Sequence, residues 1–328
     1  MRIIWALYKL KLFVKDYFEI ETIIKEVKKA VVGKDDCIHK LLIAILTKGH
    51  VLINDIPGVG KTTLALAFSK ALDLKANRMQ FTPDVLPSDV IGFYMYKQDI
   101  QEFVYQPGPI MCNLFLADEI NRTSPKTQSA LLEVMEEGGV TIDGYTNQVP
   151  EPFIVIATQN PVGSAGTQML PESQLDRFMI SISLGYPGLR DEIYMIKDRS
   201  KENPLERINP VIGSKQLIKM QKQVDEVYIH NAVYEYIVKL SAKTREHDMI
   251  QFGVSPRGTL ALSRMAKGNA FIKGRDYVLP DDVTDIFSEV VWHRLVLSPK
   301  AKLNYLTKTD IINDILKAVN KPTPKGKL

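Results

Sequence analysis

Over the first two-thirds of the chain, short apolar runs alternate with helical patterns. Val51–Asn54 (VLIN) predicts a strand, and Lys61 to Ala71 a helix behind it. Leu114–Ala117 (LFLA) predicts a second strand, followed by a helix over Lys126 to Glu137. Phe153–Ala157 (FIVIA) and Met179–Leu184 (MISISL) predict a third and a fourth. Continuously apolar runs separated by helices describe strands buried on both faces. They predict a parallel sheet between two layers of helix.

Two segments interrupt this pattern. Ile91–Tyr96 and Glu102–Tyr105 flank Lys97–Asp99 and read as a hairpin, and Val140–Ile142 and Gln148–Val149 flank Asp143-Gly144 as a second. After Tyr186-Pro187-Gly188 the strand signals fade. Helices are expected over 190–201, 214–224, 231–246, 257–272 and 281–297, the last opened by Pro280 before Asp281-Asp282. This divides the chain into an N-terminal segment (1–29), an α/β core (30–186) and a helical domain (187–328). The closing TPKGKL reads as a loose polar tail.

The N-terminal segment is apolar, but its uncharged run from Ile3 to Tyr8 ends at Lys9. A spanning helix needs roughly 20 apolar residues, and no small-residue cleavage site follows. An amphipathic helix packed on the domain is expected, with a membrane-surface helix as the alternative. The 328 residues suggest about two domains. Lysine and arginine number 42 against 38 acidic residues, a net charge of +4 too weak to imply nucleic acid. Two cysteines, Cys37 and Cys112, make no disulfide framework, so a reducing, cytoplasmic setting fits. The five histidines lack metal-ligand spacing.

The chemistry begins at Ile56–Thr63 (IPGVGKTT), which leaves a strand and opens a helix. That is the context of a phosphate-binding loop. Gly58 and Gly60 turn the backbone and present its amides, with Val59 between them, and the helix N-terminus adds positive partial charge. Lys61 reaches the β- and γ-phosphates, Thr62 offers its hydroxyl to Mg²⁺, and Thr63 completes the loop. Asp55 stands where such loops usually begin with glycine.

Leu114–Glu119 (LFLADE) ends a strand in two carboxylates, at the sheet edge where open α/β folds bind ligands. Asp118 is placed to hold Mg²⁺ through water, and Glu119 to orient or deprotonate the attacking water. Ala157–Asn160 (ATQN) repeats the arrangement, with Asn160 in reach of the γ-phosphate or the water; an ordinary strand-end turn is the alternative.

These stretches resemble the MoxR family of AAA+ ATPases. Phe81–Asp89 resembles that family's segment after the second strand, and Gly108–Glu133 its Walker B signature. Ala157–Pro161 matches sensor 1, Leu170–Phe178 the arginine-finger box and Ser255–Arg257 sensor 2. The likeness runs from about Val31 to near Leu297. It implies an AAA+ P-loop core with a C-terminal all-helical lid, ATP and Mg²⁺ bound between them, and a ring, a hexamer. Arg177 would reach the neighbouring subunit's site, with Arg122 as second candidate. An ion pair of Arg177 with Asp176 or Glu172 is the plain alternative. Arg257 would sense the γ-phosphate from the lid, and Gly33 would line the adenine pocket. The resemblance also implies chaperone-like remodelling of a protein client and a partner with a von Willebrand factor A domain. Hairpin aromatics Tyr94, Tyr96, Phe103 and Tyr105 would touch a substrate or, more simply, pack against the sheet.

The competing readings are a nucleotide-dependent switch with slow turnover and a DNA-linked AAA+ motor. Glu119 and Arg177 favour the hydrolysing motor over a switch. The weak charge and the lack of an appended DNA-binding motif argue against the third.

Overall fold

The computed structural model describes residues 16–160, 169–199 and 202–323. Helix α1 covers 16–28. It is followed by α2 (Asp35–Leu46), β1 (Val51–Asn54), α3 (Lys61–Ala71), β2 (Ala76–Gln80) and α4 (Pro87–Ile91). A hairpin, β3 (Gly92–Lys97) and β4 (Glu102–Pro107), precedes β5 (Leu114–Asp118) and α5 (Pro125–Glu137). A second hairpin, β6 (Gly139–Ile142) and β7 (Tyr145–Gln148), precedes β8 (Ile154–Gln159), α6 (Glu172–Leu175) and β9 (Ile180–Ile182). Then come α7 (Leu189–Arg199), α8 (Ser214–Asp225), α9 (Asn231–Glu246), β10 (Ile250–Phe252) and α10 (Pro256–Ile272). The chain continues through α11 (Pro280–Val291), β11 (Val296–Leu297), α12 (Pro299–Leu303) and α13 (Lys308–Ala318).

The central sheet has five strands in the order β2-β5-β8-β1-β9, all parallel. Alternate side chains of each inner strand enter different cores, as a pleated strand requires. Val51, Ile53, Leu114, Leu116, Ile154 and Ile156 face the larger core, which α1, α2, α3 and the C-terminal helices complete. Leu52, Phe115, Ala117, Val155 and Ala157 face the smaller one, closed by α5 and Phe178. Burial on both faces is why these strands read as unbroken apolar runs.

The departures have physical causes. β2 escapes the sequence pattern because it is an edge strand whose residues, Ala76 to Gln80, are mostly polar and partly exposed. The helix expected over 281–297 ends at Val291, and Val296 and Leu297 turn back to pair with β10. α12 and α13 were not expected. α1 buries Ile20, Ile23, Ile24 and Val27 in the larger core. Its Asp16 accepts hydrogen bonds from Gln216 and Gln223 on α8. The apolar run Ile3–Tyr8 and the end of the tail, 324–328, lie outside the described residues. Among the described residues no helix is long and apolar enough to cross a membrane.

Both hairpins form. Their aromatics pack on one another, Tyr94 against Tyr105 and Tyr145 and Tyr96 against Phe103, and Tyr105 also packs on the smaller core under the central sheet. Phe103 stays 70 % exposed.

Candidate active site

β1, β5 and β8 are adjacent, and their C-terminal ends converge on one edge. The connection leaving β1 runs outward to β2, whereas the chain after β8 crosses β1 to reach β9. This reversal opens a crevice at the strand ends, the general ligand position in open α/β sheets.

The loop between β1 and α3 lines a cleft of ≈ 450 Å³ with Pro57, Gly58, Val59, Gly60 and Thr63. Gly58 (φ +86°) and Gly60 (φ +94°) sit in the left-handed region, and nothing lies within 4 Å of where a Cβ would stand. The cradle is therefore open, and it is bare of side chains where a phosphate would approach. Lys61 is buried, and its Nζ donates to the Asp55 carbonyl at 2.8 Å and to Asn160 Oδ1 at 3.5 Å. Burial lowers the Lys61 pKa against the pull of Asp55, Asp118 and Glu119. An arriving phosphate would supply the missing counter-charge.

Asp55 anchors this loop. Its Oδ2 accepts from the Gly185 N–H at 2.7 Å and from Ser183 Oγ at 3.1 Å, on the chain leaving β9. Its Oδ1 accepts from the Ile56 N–H at 2.9 Å. The far wall of the cleft is made by Val31, Val32, Tyr186 and, on α7, Glu192, Met195 and Ile196. Gly33 (φ +69°) belongs to this wall segment, where a Cβ would run into Asp191 of α7.

Asp118 uses both carboxylate oxygens. Oδ2 accepts from Arg78 Nε at 2.6 Å and Oδ1 from Thr158 Oγ1 at 3.2 Å. Thr158 Oγ1 also accepts the Glu119 N–H at 2.9 Å, which fixes the turn that holds Glu119 at φ +58°. A non-glycine residue there is strained by about 1–3 kcal/mol, a cost often met at functional turns. Glu119 Oε2 accepts from Arg122 Nη1 at 2.8 Å. Burial pushes the Glu119 pKa up, but hydrogen bonds from Arg122 and Asn160 and the charges of Arg122 and Lys61 outweigh it and hold it low. The carboxylate is ionised at neutral pH and already paired. Asn160 is buried and clasped by Asn121, whose amide donates to its carbonyl at 3.3 Å and accepts from its N–H at 3.4 Å.

A carboxylate at Asp118 and a hydroxyl at Thr62 are hard oxygen donors of the kind Mg²⁺ takes alongside phosphates. Among the described residues no group of three or more His, Cys, Asp or Glu could hold a metal by itself. A metal here would depend on the nucleotide.

Lys61, Asp118, Glu119 and Asn160 thus come together. The remaining arginines do not join them as the sequence suggested. Arg122 pairs with Glu119 of its own chain. Arg177 takes neither Asp176 nor Glu172: its Nε lies 3.3 Å from Glu136 Oε2, and Nη1 donates to the Leu132 carbonyl at 2.9 Å. Arg257 does not line the phosphate-loop cleft. Its Nη2 lies 3.1 Å from Glu136 Oε1, in a second cleft of ≈ 520 Å³ that Arg177 also lines. Sequence reading missed Arg78, Thr158, Asn121 and Glu136. Of these, Asn121 and Thr158 lay inside recognised motifs, and Arg78 and Glu136 carry no local signal.

A model of the ATPase family associated with various cellular activities (AAA) matches residues 50–180, and one of the AAA lid domain matches 242–315. The chain is 47 % identical over 303 residues to YeaC of Bacillus subtilis, an uncharacterised protein, spanning 92 % of this chain and 95 % of that one. It is 38 % identical over 312 residues to Chaperone MoxR1 of Mycobacterium tuberculosis (92 % and 82 %), and 31 % identical over 326 residues to Protein MoxR of Methylorubrum extorquens (92 % and 93 %). A crystal structure described as a candidate ATPase from Cytophaga hutchinsonii superposes with a TM-score of 0.88 at 36 % identity, covering 98 % of this chain and all of that one. Identity across 92 % of the chain to proteins named MoxR, joined to this loop and these strand-end carboxylates, places the chain in the MoxR family of AAA+ ATPases.

Proposed function

We propose that this ATPase hydrolyses Mg-ATP as a ring, a hexamer, and spends the cycle on remodelling a protein partner. The observation that carries the reading is the separation of two clusters. Lys61, Asp118, Glu119 and Asn160 meet at one sheet edge, whereas Arg177 and Arg257 share Glu136 in another cleft. A lone chain presents its phosphate loop with neither arginine; a second copy would supply both.

Lys61 and the loop amides would hold the phosphates, and Val31, Val32 and the turn at Gly33 would receive the base. Thr62 and Asp118 would hold Mg²⁺, which neutralises phosphate charge when bound. Glu119 would orient the attacking water and take its proton once Arg122 moves aside. Asn160, fixed by Asn121, would position the terminal phosphate or that water. Arg177 and Arg257 would spread positive charge onto the group transferred in the neighbouring site, a contribution of roughly 10³–10⁵ in rate where such arginines act. Relatives named MoxR, one of them a chaperone, support the remodelling role, and the family resemblance supports a partner with a von Willebrand factor A domain.

The test is ATP turnover per chain against protein concentration, with Arg177→Ala beside wild type. Turnover that climbs with assembly and collapses in the variant is expected. Lys61→Ala should abolish nucleotide binding, and Glu119→Gln should keep binding while stopping turnover. Unaltered hydrolysis in Glu119→Gln removes that residue from the chemistry. A slow nucleotide switch is the second reading, favoured by the Arg122–Glu119 pair. Negligible turnover at every concentration, with ATP still bound, would put it first.

A further inference from the structure

Arg177 and Arg257 are brought side by side by a knot of hydrogen bonds between distant parts of the chain. Arg177 directly follows Asp176 of that knot, and Arg257 stands two positions after Ser255. Asp176 Oδ2 accepts from Ser255 Oγ at 2.7 Å, and Ser255 also caps α10 by accepting the Gly258 N–H at 3.1 Å. Arg294, itself buried, donates from Nε to Asp176 Oδ1 at 2.7 Å and from Nη2 to the Asp176 carbonyl at 3.2 Å. The two guanidinium groups then end on one carboxylate, with Oε2 of Glu136 taken by Arg177 and Oε1 by Arg257. Arg294 and Asp176 neutralise one another. Of the other charges lining this cleft, Lys48 pairs with Asp225, and Arg177, Arg257 and Arg264 share it with Glu136.

We propose that Glu136 is the positioning residue of this arginine pair and gives way to a polyphosphate anion, the terminal phosphate of a neighbouring copy's nucleotide. The inference rests on the shared-site reading above. Two guanidinium groups repel each other unless an anion lies between them. A carboxylate with one oxygen for each holds the two side chains together, and Arg177 is braced further by its Nη1 bond to the Leu132 carbonyl. Glu136 is 39 % exposed, so the pair is held in a screened, weakly bound form. A phosphate of higher charge and three acceptor oxygens outcompetes a single carboxylate for both. The arginines would thus be aligned before the anion arrives, and the acid would act by holding geometry without touching the reacting atoms.

The test mixes two variants. Lys61→Ala chains keep their arginines and lose their own site; Arg177→Ala chains keep their site and lose an arginine. Turnover recovered on mixing shows that sites are shared. Glu136→Gln is then added to one partner at a time, with thermal midpoints checked for folding. Carried by the Lys61→Ala chain, it should lower recovered turnover roughly 10- to 100-fold, the scale of a misplaced catalytic group. Carried by the Arg177→Ala chain, it should cost at least about fivefold less. The loss should lie in kcat and not in KM for ATP, because the phosphate loop is untouched. Equal losses from both sides, or no loss from the arginine donor, overturn the role of Glu136 alone. Mixing that recovers nothing overturns the shared-site reading and this inference with it.

Discussion

Replacing Arg294 with Met removes the buried side of the knot that joins the C-terminal helices to the core. All five N–H groups of Arg294 are used: Nε on Asp176 Oδ1, Nη1 on the Met179 and Val290 carbonyls, and Nη2 on the Asp176 and Phe178 carbonyls. Without it, Asp176 keeps Ser255 as partner for one oxygen, and the other oxygen is stranded. Breaking a buried pair from one side costs about 3–5 kcal/mol. For a chain of this length that is roughly 2 °C of melting temperature per kcal/mol, so a fall of about 6–10 °C is expected. Arg294→Lys should fall between, because three donors on one nitrogen cannot span acceptors that a planar fork reaches. Thermal unfolding by circular dichroism reads the change. An Asp176→Asn and Arg294→Met cycle should show a coupling above about 1 kcal/mol. A midpoint within about 2 °C of wild type for Arg294→Met refutes the argument, since the ion pair and carbonyl contacts would then contribute little.

Asp55→Ala strands the Gly185 N–H and Ser183 Oγ at a cost of about 1–3 kcal/mol, so the thermal midpoint should fall and KM for ATP should rise as α7 loosens; a rise in neither would mean the anchor is idle. Arg78→Gln takes a cation from beside Asp118 and should lower the Mg²⁺ needed for half-maximal turnover roughly three- to tenfold; a higher requirement would show instead that Arg78 holds the carboxylate in place. His50 is pushed down to about 4 by burial and the nearby Arg257 charge, against the Met135 carbonyl. A histidine lowered in the folded state gives stability that is complete above about pH 6.5 and lost as pH falls towards 4. His50 should therefore take about 2 kcal/mol from the unfolding free energy, measured with denaturant, between pH 7 and pH 5, and His293, also pushed down by burial, adds to the fall. His50→Gln should remove that share of the slope, and an unchanged slope assigns it to His293 or another group.

The sheet was legible where burial leaves an unambiguous mark. β1, β5 and β8 are apolar at successive positions because both faces are covered, and the helix beginning at Lys61 was found to the residue. β2 was invisible because Asn77, Arg78 and Gln80 sit on an edge where water tolerates them. The site was legible to the extent that its chemistry is local in sequence: a loop with its glycines, two carboxylates at a strand end, an amide at another. Arg78 reaches Asp118 across 40 positions and Arg294 reaches Asp176 across 118. Such partners are chosen by folded proximity, and neither periodicity nor motif spacing records it. The same holds for Glu136, an ordinary polar residue near the end of an amphipathic helix until two arginines are folded onto it.

The carboxylate at position 55 bears on how such loops diversify. The residues with positive φ in this loop are Gly58 and Gly60; Asp55 is not among them, so the backbone there makes no demand for glycine. A pattern that insists on glycine at that place tests ancestry more than physics. Once freed from that requirement, the position can acquire a side chain that ties the loop to whatever strand end lies beside it. In this chain it ties the loop to the segment leading into α7. Lineages that carry glycine there would have to stabilise the same junction by other residues, and the compensating changes should cluster around Ser183 and Gly185.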